Sequence, residues 1–300
     1  MKIVVWLYSI DNTRGGGFQL LVPAINVLNN LYENINVLGA VTPQGMKFNE
    51  LPAIDKNDLK TTDFDLILVT GHDIEFADVL NQAEVLGINA EKIIMDRTVC
   101  VPNFTLDKYK KLRRSRISIF SKNCWGGWIH HRFGLPFLSP TINLFMYPLD
   151  FLKFLENPRK YLAEDPHFLR TAPSHIPNTD YPIFSLGGVE IFMNHYFEIA
   201  SAKNKWLERS KRVNWYNLLV EMCTDDIEIL KQFDKLPYAK KFCFVPFKSD
   251  IDSAVYVDFE RFNDPAGFEH LVSASAMGAI DFYDPWDMLL YGKKTPLIIQ

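Results

Sequence analysis

Apolar runs alternate with amphipathic segments along the first hundred residues. KIVVWLYS, INVLGAV, FDLILVTG and EKIIMD each have the length and composition of a buried strand. Between the last two strands, apolar residues recur at helical spacing, at Phe76, Val79, Leu80, Ala83 and Leu86. Alternating strands and helices predict an open parallel sheet, so we expect a Rossmann-like domain over residues 1–105.

A second alternation occupies residues 117–300. RISIF, NLLVEMC, KKFCFVPF and SAVYVDF predict strands, and LDFLKFLENPRKYL, FEIASAKNKWLERSKRV and DDIEILKQFDKL predict helices. YPIFSLGGVEIFMNHY predicts two strands joined by Gly187-Gly188, because paired glycines adopt the positive φ angles of a two-residue hairpin turn. The expected fold class is α/β with two domains, the second a mixed sheet with a β-hairpin.

The segment LDKYKKLRRSR, residues 106–116, joins the two predicted domains and carries six basic side chains against one acidic one. We interpret it as a linker helix with a solvated basic face, which Tyr109 and Leu112 anchor to the body of the protein. Contact of the basic residues with phosphate or another anionic surface is the alternative.

Composition narrows the class of partner. The chain carries 32 basic and 36 acidic residues, a net charge of -4, which favours a small-molecule partner over nucleic acid. No apolar run approaches the roughly 18 residues that span a bilayer, and an acidic residue follows the first strand too early for a signal peptide. We expect a cytoplasmic protein without integral membrane contact. Peripheral association with a membrane and a homodimer both stay open.

Ligands of parallel α/β sheets bind beyond the carboxyl ends of the strands. In the second domain this rule selects the loops at residues 123–127, 224–226 and 246–250. We expect residues 123–131, 139–145 and 224–226 to converge in one pocket.

Cys124 is the candidate nucleophile. It follows a predicted strand and precedes a short helix, where helix-terminal amides lower the pKa of a thiol. Its general base would come from His130, His131 or the distant His195, and His131 is the candidate that we assign as catalytic. Burial of Cys124 as a small apolar residue is the alternative.

Asp226 is the third candidate catalytic residue. Asp225 and Asp226 begin a predicted helix, and capping of that helix explains one carboxylate. The other is a candidate general base or ligand to a divalent ion. Adjacent histidines lack the i, i+4 spacing of a zinc helix, so we assign no metal, and the cofactor stays unspecified.

Further residues are candidates for ligand binding. Asn143 lies in an otherwise apolar segment, where a buried amide either ties a loop together or reads a ligand hydroxyl. Trp125 either stacks on a sugar or base or fills the core. In the first domain, three consecutive glycines would let backbone amides approach an anion. The ligand-binding candidates are Asn123, Trp125, Gly126, Gly127, His130, Ser139, Asn143 and Asp225, and the anion-binding candidates are Gly15, Gly16 and Gly17.

Two resemblances to known families bear on function. NCWGG at residues 123–127, GLPF at 134–137 and SPTINLF at 139–145 resemble a bacterial family of unknown function that is encoded largely among surface-polysaccharide genes. The segments YPIFSLGGVEIFMNHY, KRVNWYNLLVEM and FDKLPYAKKFCF are similar to the same family. In LPAIDKNDL, FDLILVTG and EKIIMD, the first domain resembles Rossmann-like modules that accompany enzymes of nucleotide-sugar metabolism.

The resemblances imply a role in surface-polysaccharide biosynthesis without assigning a reaction. Our leading hypothesis is a transferase of glycosyl or acyl groups that acts on a nucleotide-linked or lipid-linked sugar. A noncatalytic protein that binds a sugar nucleotide or holds a biosynthetic complex together is the alternative, and a thiol-dependent hydrolase is a third. Whether the protein is an enzyme stays open at this point.

Overall fold

A computed structural model describes residues 1–8, 19–43, 48, 50–71, 73–174, 176–262 and 264–297. The chain divides into two compact units. The first comprises Met1–Arg113 and His131–Gly134, and the second comprises Arg114–His130 and Leu135–Gln300.

The first unit contains a four-stranded parallel sheet. Its strands are β1 (Lys2–Leu7), β2 (Asn36–Val41), β3 (Leu66–Thr70) and β4 (Ile93–Met95), in the order β2-β1-β3-β4. The helices in this part of the chain are α1 (Leu21–Leu31), α2 (Asp73–Val85), α3 (Asp96–Val99) and α4 (Leu106–Ser115), and 3-10 turns lie at Lys56–Lys60 and Ala90–Lys92.

The burial pattern explains why this sheet forms. All five residues of β3 are buried, as expected of a central strand covered on both faces. Phe76, Val79 and Ala83 of α2 are buried in the same core, which confirms the predicted amphipathic helix. Tyr109 and Leu112 anchor α4, and the Tyr109 hydroxyl donates a 2.5 Å hydrogen bond to the Ile93 carbonyl. The basic segment is therefore a helix with a buried apolar edge.

The second unit contains a parallel sheet and an antiparallel one. Its strands are β5 (Ser118–Ser121), β6 (His167–Pro173), β7 (Asp180–Leu186), β8 (Val189–Phe192), β9 (Leu218–Cys223), β10 (Lys240–Val245) and β11 (Ala254–Tyr256). The parallel sheet has the order β11-β10-β9-β5, and the antiparallel sheet has the order β6-β7-β8. The mixed α/β fold class is confirmed.

The later helices follow the amphipathic segments of the sequence. They are α5 (Trp125–Phe133), α6 (Pro148–Glu156), α7 (Pro158–Ala163), α8 (Ile199–Ser210), α9 (Ile227–Asp234), α10 (Phe259–Phe262), α11 (Phe268–Met277) and α12 (Pro285–Tyr291). In the described ranges, no helix has both the length and the apolar character needed to cross a bilayer.

The structure confirms one predicted element of the second unit and corrects another. Gly187 and Gly188 adopt φ angles of 53° and 83°, which confirms the hairpin between β7 and β8. The single helix predicted over LDFLKFLENPRKYL is wrong, because the chain breaks into α6 and α7 at Asn157. Pro158 has no N–H to continue α6, and the Asn157 side chain accepts a 3.3 Å hydrogen bond from the Lys160 amide to begin α7.

The antiparallel sheet is attached to the parallel one by a backbone pair. The Phe145 and Phe192 amides donate hydrogen bonds to each other's carbonyls, at 3.0 and 2.9 Å. The Met146 amide also donates to the carbonyl of Lys122, directly after β5, at 2.9 Å. These bonds bring the turn that follows β8 to the carboxyl end of β5, where α5 begins.

Candidate functional site

A cavity of about 350 Å³ lies in the second unit beyond the carboxyl end of β5. The start of α5, the turn after β8 and one face of α11 form its walls. Its lining residues are Asn123, Cys124, Trp128, Phe145, Asn194, Glu269, His270, Ser273 and Met277. A volume of this size is within the range of small-molecule sites, about 300–1,000 Å³.

Asn123 fixes the start of the helix that carries the thiol. Its Oδ1 accepts a 2.9 Å hydrogen bond from the Trp125 amide, and its Nδ2 lies 3.4 Å from the sulfur of Cys223 at the end of β9. Cys124 therefore lies at the amino-terminal end of α5, where the helix dipole stabilises a negative charge. This geometry is suited to a thiolate.

His195 is in contact with the thiol. Its Nε2 lies 3.1 Å from the Cys124 sulfur, although the two residues are 71 positions apart in sequence. A tight turn presents the imidazole: the Tyr196 amide donates a 2.9 Å hydrogen bond to the Met193 carbonyl, and Met193 is buried. Cysteine and histidine at this distance can exchange a proton.

The surroundings of Cys124 act on its pKa in opposite directions. Burial raises the pKa of the thiol, and a side-chain hydrogen bond with Asn194 offsets part of that rise. Transfer of the proton to His195 within the pair would leave a thiolate next to an imidazolium, which stabilises both charges. Ionisation through this partner would not require release of the proton to water.

Behind the cavity lies a buried group of ionisable side chains. Lys122 is fully buried and forms an ion pair with Glu269 of α11. Burial raises the pKa of Glu221 to about 8, so this carboxyl is largely protonated at neutral pH. Its Oε2 accepts a 2.5 Å hydrogen bond from the hydroxyl of Ser121. Lys122 and Glu269 are thus the charged pair at neutral pH.

A second histidine of the cavity has an acidic partner. The Nδ1 of His270 lies 2.7 Å from a carboxylate oxygen of Asp264, and this contact holds the pKa of Asp264 below its ordinary value. His270 and Glu269 therefore place opposite charges on neighbouring positions of the α11 wall when the imidazole is protonated. The α11 wall therefore offers polar groups to a ligand, whereas Trp128, Phe145 and Met277 make other parts of the lining apolar.

Residues 95–291 match the family described as a domain of unknown function (DUF1919). The match covers more than half of the chain and includes every residue named above as lining the cavity. The chain belongs to the DUF1919 family. This confirms the expectation of a family of unknown function. An uncharacterised protein of Haemophilus influenzae (strain KW20 / Rd) is 32% identical over 184 residues, which cover 59% of this chain and 84% of that protein.

Of the predicted site residues, this cavity brings together Asn123 and Cys124. Trp125 instead packs in the core against Phe244, with ring centroids 5.8 Å apart. His130 is buried, with its Nδ1 2.6 Å from the Gly126 carbonyl one turn earlier. Each of these two side chains has a structural contact that accounts for its position.

The loop at residues 139–145 packs against α5 and hydrogen-bonds to β5. Ser139 is buried, and its hydroxyl lies 3.0 Å from the Thr141 hydroxyl. The Thr141 hydroxyl oxygen in turn accepts a 3.1 Å hydrogen bond from the Ser121 amide. Asn143 adopts a φ angle of 58° and packs its side chain against Gly127 of α5. Gly126 lies similarly close to Ser121 and Ile119. The two glycines therefore allow close packing of α5.

Three further candidates, Asp225, Asp226 and His131, do not line the cavity. Asp226 is exposed and caps α9, because its side chain accepts a 2.7 Å hydrogen bond from the Glu228 amide, and Asp225 beside it is exposed. His131 lies two turns along α5 from the thiol and is counted with the first unit. None of these three is among the described residues that line the cavity.

The remaining predicted sites concern the first unit and metals. Gly15, Gly16 and Gly17 lie outside the described residues. A cavity of about 630 Å³ does lie at the carboxyl ends of β1 and β2, lined by residues that include Tyr8 and Lys56. Within the part of the chain that the structure describes, no three His, Cys, Asp or Glu side chains form a group able to hold a metal ion. Of these two cavities, the one beside Cys124 is lined by a thiol that contacts an imidazole.

We expect Gly127→Ala to destabilise the protein by about 1–3 kcal/mol, the usual cost of overpacking. A Cβ atom at this position would lie 2.0 Å from Oδ1 of Asn143. Urea unfolding of the full chain measures the effect. The double variant Gly127→Ala/Asn143→Gly should recover most of the loss, since glycine adopts positive φ without strain. A double variant no more stable than Gly127→Ala would contradict this packing.

We also expect Glu221 to make stability fall as pH rises. Its pKa is about 8 in the folded protein and 4.5 ordinarily, so between these values the folded state binds the extra proton. The free energy of unfolding should therefore fall by up to about 1.4 kcal/mol per pH unit from this group. Glu221→Gln should remove that slope in urea unfolding between pH 5 and 8, and Glu198→Gln, an exposed control, should keep it. Parallel curves for wild type and Glu221→Gln would contradict the assignment.

Proposed function

We propose that the protein is an acyltransferase of surface-polysaccharide biosynthesis in which Cys124 carries the acyl group as a thioester. The observation that carries the proposal is the 3.1 Å contact between the Cys124 sulfur and Nε2 of His195 at a cavity. A thiol paired with a base favours acyl over glycosyl transfer, because thiolates attack carbonyl carbon readily.

The first half of the reaction forms the thioester. His195 takes the thiol proton, and the Cys124 sulfur attacks the carbonyl carbon of an acyl thioester donor. The side-chain amide of Asn194, which bonds to the sulfur in the free protein, would donate to the oxyanion. The donor C–S bond then breaks, and the proton on His195 passes to the leaving thiol.

The second half of the reaction releases the group to the acceptor. His195 takes the proton of a sugar hydroxyl, whose oxygen attacks the thioester carbonyl. The bond to the Cys124 sulfur breaks, the thiol regains the proton, and a sugar ester leaves. Trp128 and Phe145 line the cavity and offer aromatic faces to a sugar ring.

The pathway and the acceptor rest on resemblance rather than on geometry. The segments NCWGG and SPTINLF resemble proteins encoded among surface-polysaccharide genes. A nucleotide-linked or lipid-linked sugar is therefore the acceptor class that we propose. The reaction would take place in the cytoplasm, where both thioester donors and nucleotide sugars are made.

Intact-protein mass spectrometry with a panel of acyl-coenzyme A donors tests the proposal. We expect one donor to add a single acyl mass that maps to Cys124 and that neutral hydroxylamine removes, as it does a thioester. Subsequent addition of nucleotide sugars should discharge the adduct onto one of them. Discharge to water alone would identify a hydrolase. Absence of any adduct across the panel would overturn the acyltransferase in favour of a noncatalytic binding protein.

A further inference from the structure

Lys122 places a positive charge behind the cavity wall, because it forms an ion pair with Glu269, which lines the cavity. Its side chain is 0% exposed, and its ammonium lies 5.6 Å from the ring centroid of Phe145, a residue of the cavity wall. Its backbone is held on both sides: its amide donates to the Glu221 carbonyl at 3.2 Å, and its carbonyl accepts from Met146 at 2.9 Å. The ammonium is therefore fixed in place beyond the end of β5.

Of the acidic groups near Lys122 in the described ranges, only Glu269 is ionised at neutral pH. Glu221 is largely protonated at neutral pH because burial raises its pKa to about 8, and its Oε1 has no hydrogen-bond partner among the described residues. Burial likewise raises the pKa of the Cys223 thiol, so this group is neutral. Glu269 thus provides the negative charge that balances Lys122.

The side chain of Glu269, unlike that of Lys122, can rotate out of the ion pair into solvent. Its side chain is 51% exposed and lies on the α11 wall, in line with Ser273 and Met277 one and two turns further on. Rotation toward solvent would hydrate its carboxylate. The buried ammonium could not follow, and a buried charge without a partner is strongly unfavourable. An occupant that displaces Glu269 must therefore bring a negative charge of its own.

We propose that Lys122 binds an anionic group of the substrate, a carboxylate or a phosphate, which takes the place of Glu269 in the ion pair. This inference rests on the proposed function, since it treats the cavity beside Cys124 as the substrate site. The substrate class is an anionic sugar, either a uronic acid or a phosphorylated sugar. Its ring would lie against Phe145 while its charged group reaches Lys122.

Calorimetric titration of the full-length Cys124→Ala variant tests binding without turnover. The probes are glucuronic acid, glucose 1-phosphate and neutral glucose. We expect at least one anionic sugar to bind tenfold or more tightly than glucose, and the sugar that does so identifies the source of the anion. Equal affinity for all three, or no binding of any, would overturn the inference.

A second substitution separates recognition from a purely structural ion pair. Glu269→Gln removes the competing carboxylate from a half-exposed position, so affinity for the anionic sugar should rise about three- to tenfold. Lys122→Met should abolish the preference over glucose, and Lys231→Met, on the surface of the same unit, should not. If Glu269→Gln leaves affinity unchanged or weakens it, the inference fails, even where Lys122→Met does not fold. Thioester formation is measured separately, so either proposal can fail alone.

Discussion

Cys124→Ala should show no acyl adduct and should lose transfer activity by at least about 10³-fold, the scale expected on removal of a nucleophile. The sulfur is the atom that bonds to the acyl carbon, and alanine offers no substitute. The substitution removes one half-buried atom, so the fold should be retained. Intact mass after incubation with the donor measures the adduct, and far-ultraviolet circular dichroism checks the fold.

Cys100→Ser is the matched control for this experiment. Cys100 is also a half-buried free cysteine, but burial raises its pKa to about 11 and Asp96 adds to the rise. It should therefore be unreactive at neutral pH, and its replacement should leave acylation unchanged. If Cys124→Ala still acquires the adduct, or if Cys100→Ser loses it, another thiol is the nucleophile and the proposed mechanism is wrong.

The elements that could be predicted from sequence are those determined by residues close together in the chain. The strands IVVWL and LILVT are apolar except for Thr70 because they are buried on both faces, and Gly187-Gly188 specifies its own turn. Strand β6 escaped prediction because HFLRTAP is almost wholly exposed and has no apolar face. It forms through pairing with β7, which only the folded sheet provides.

The position of the candidate site, but not its full set of residues, could be predicted from patterns in the sequence. Its position after β5 follows from the rule for parallel sheets, and Cys124 could be chosen from its neighbours in sequence. His195 could be named as a distant base, but no spacing rule selected it over the adjacent His131. Asn194 beside it was missed. The one available signal was a polar pair directly after an apolar strand.

The contribution of α11 to the cavity could not be predicted from the sequence. Glu269 pairs with Lys122 across 147 positions, and FEHLVSASAM contains no motif that predicts this contact. The burial of Lys122 could not be predicted either, because a lysine in a polar loop is usually solvated. Conversely, Gly126 and Gly127 have a motif-like appearance but are required for close packing of α5.

His195→Gln should lower the rate of thioester formation by about 10²–10⁴-fold, the usual contribution of a positioned general base. Glutamine is similar in size and can still contact the sulfur, but it cannot take the proton. Without the imidazole, ionisation of Cys124 depends on the thiol alone, whose pKa burial raises. Alkylation of Cys124 by iodoacetamide as a function of pH measures this directly.

The wild-type thiol should react at neutral pH, because an imidazolium next to the sulfur stabilises the thiolate. In His195→Gln the same alkylation rate should be reached only at higher pH. His167→Gln, a change to an exposed histidine of β6, should keep the wild-type profile. An unchanged profile in His195→Gln would mean that the 3.1 Å contact does not carry the proton. In that case the pairing of Cys124 with His195 is structural, and the acyl-transfer mechanism loses its base.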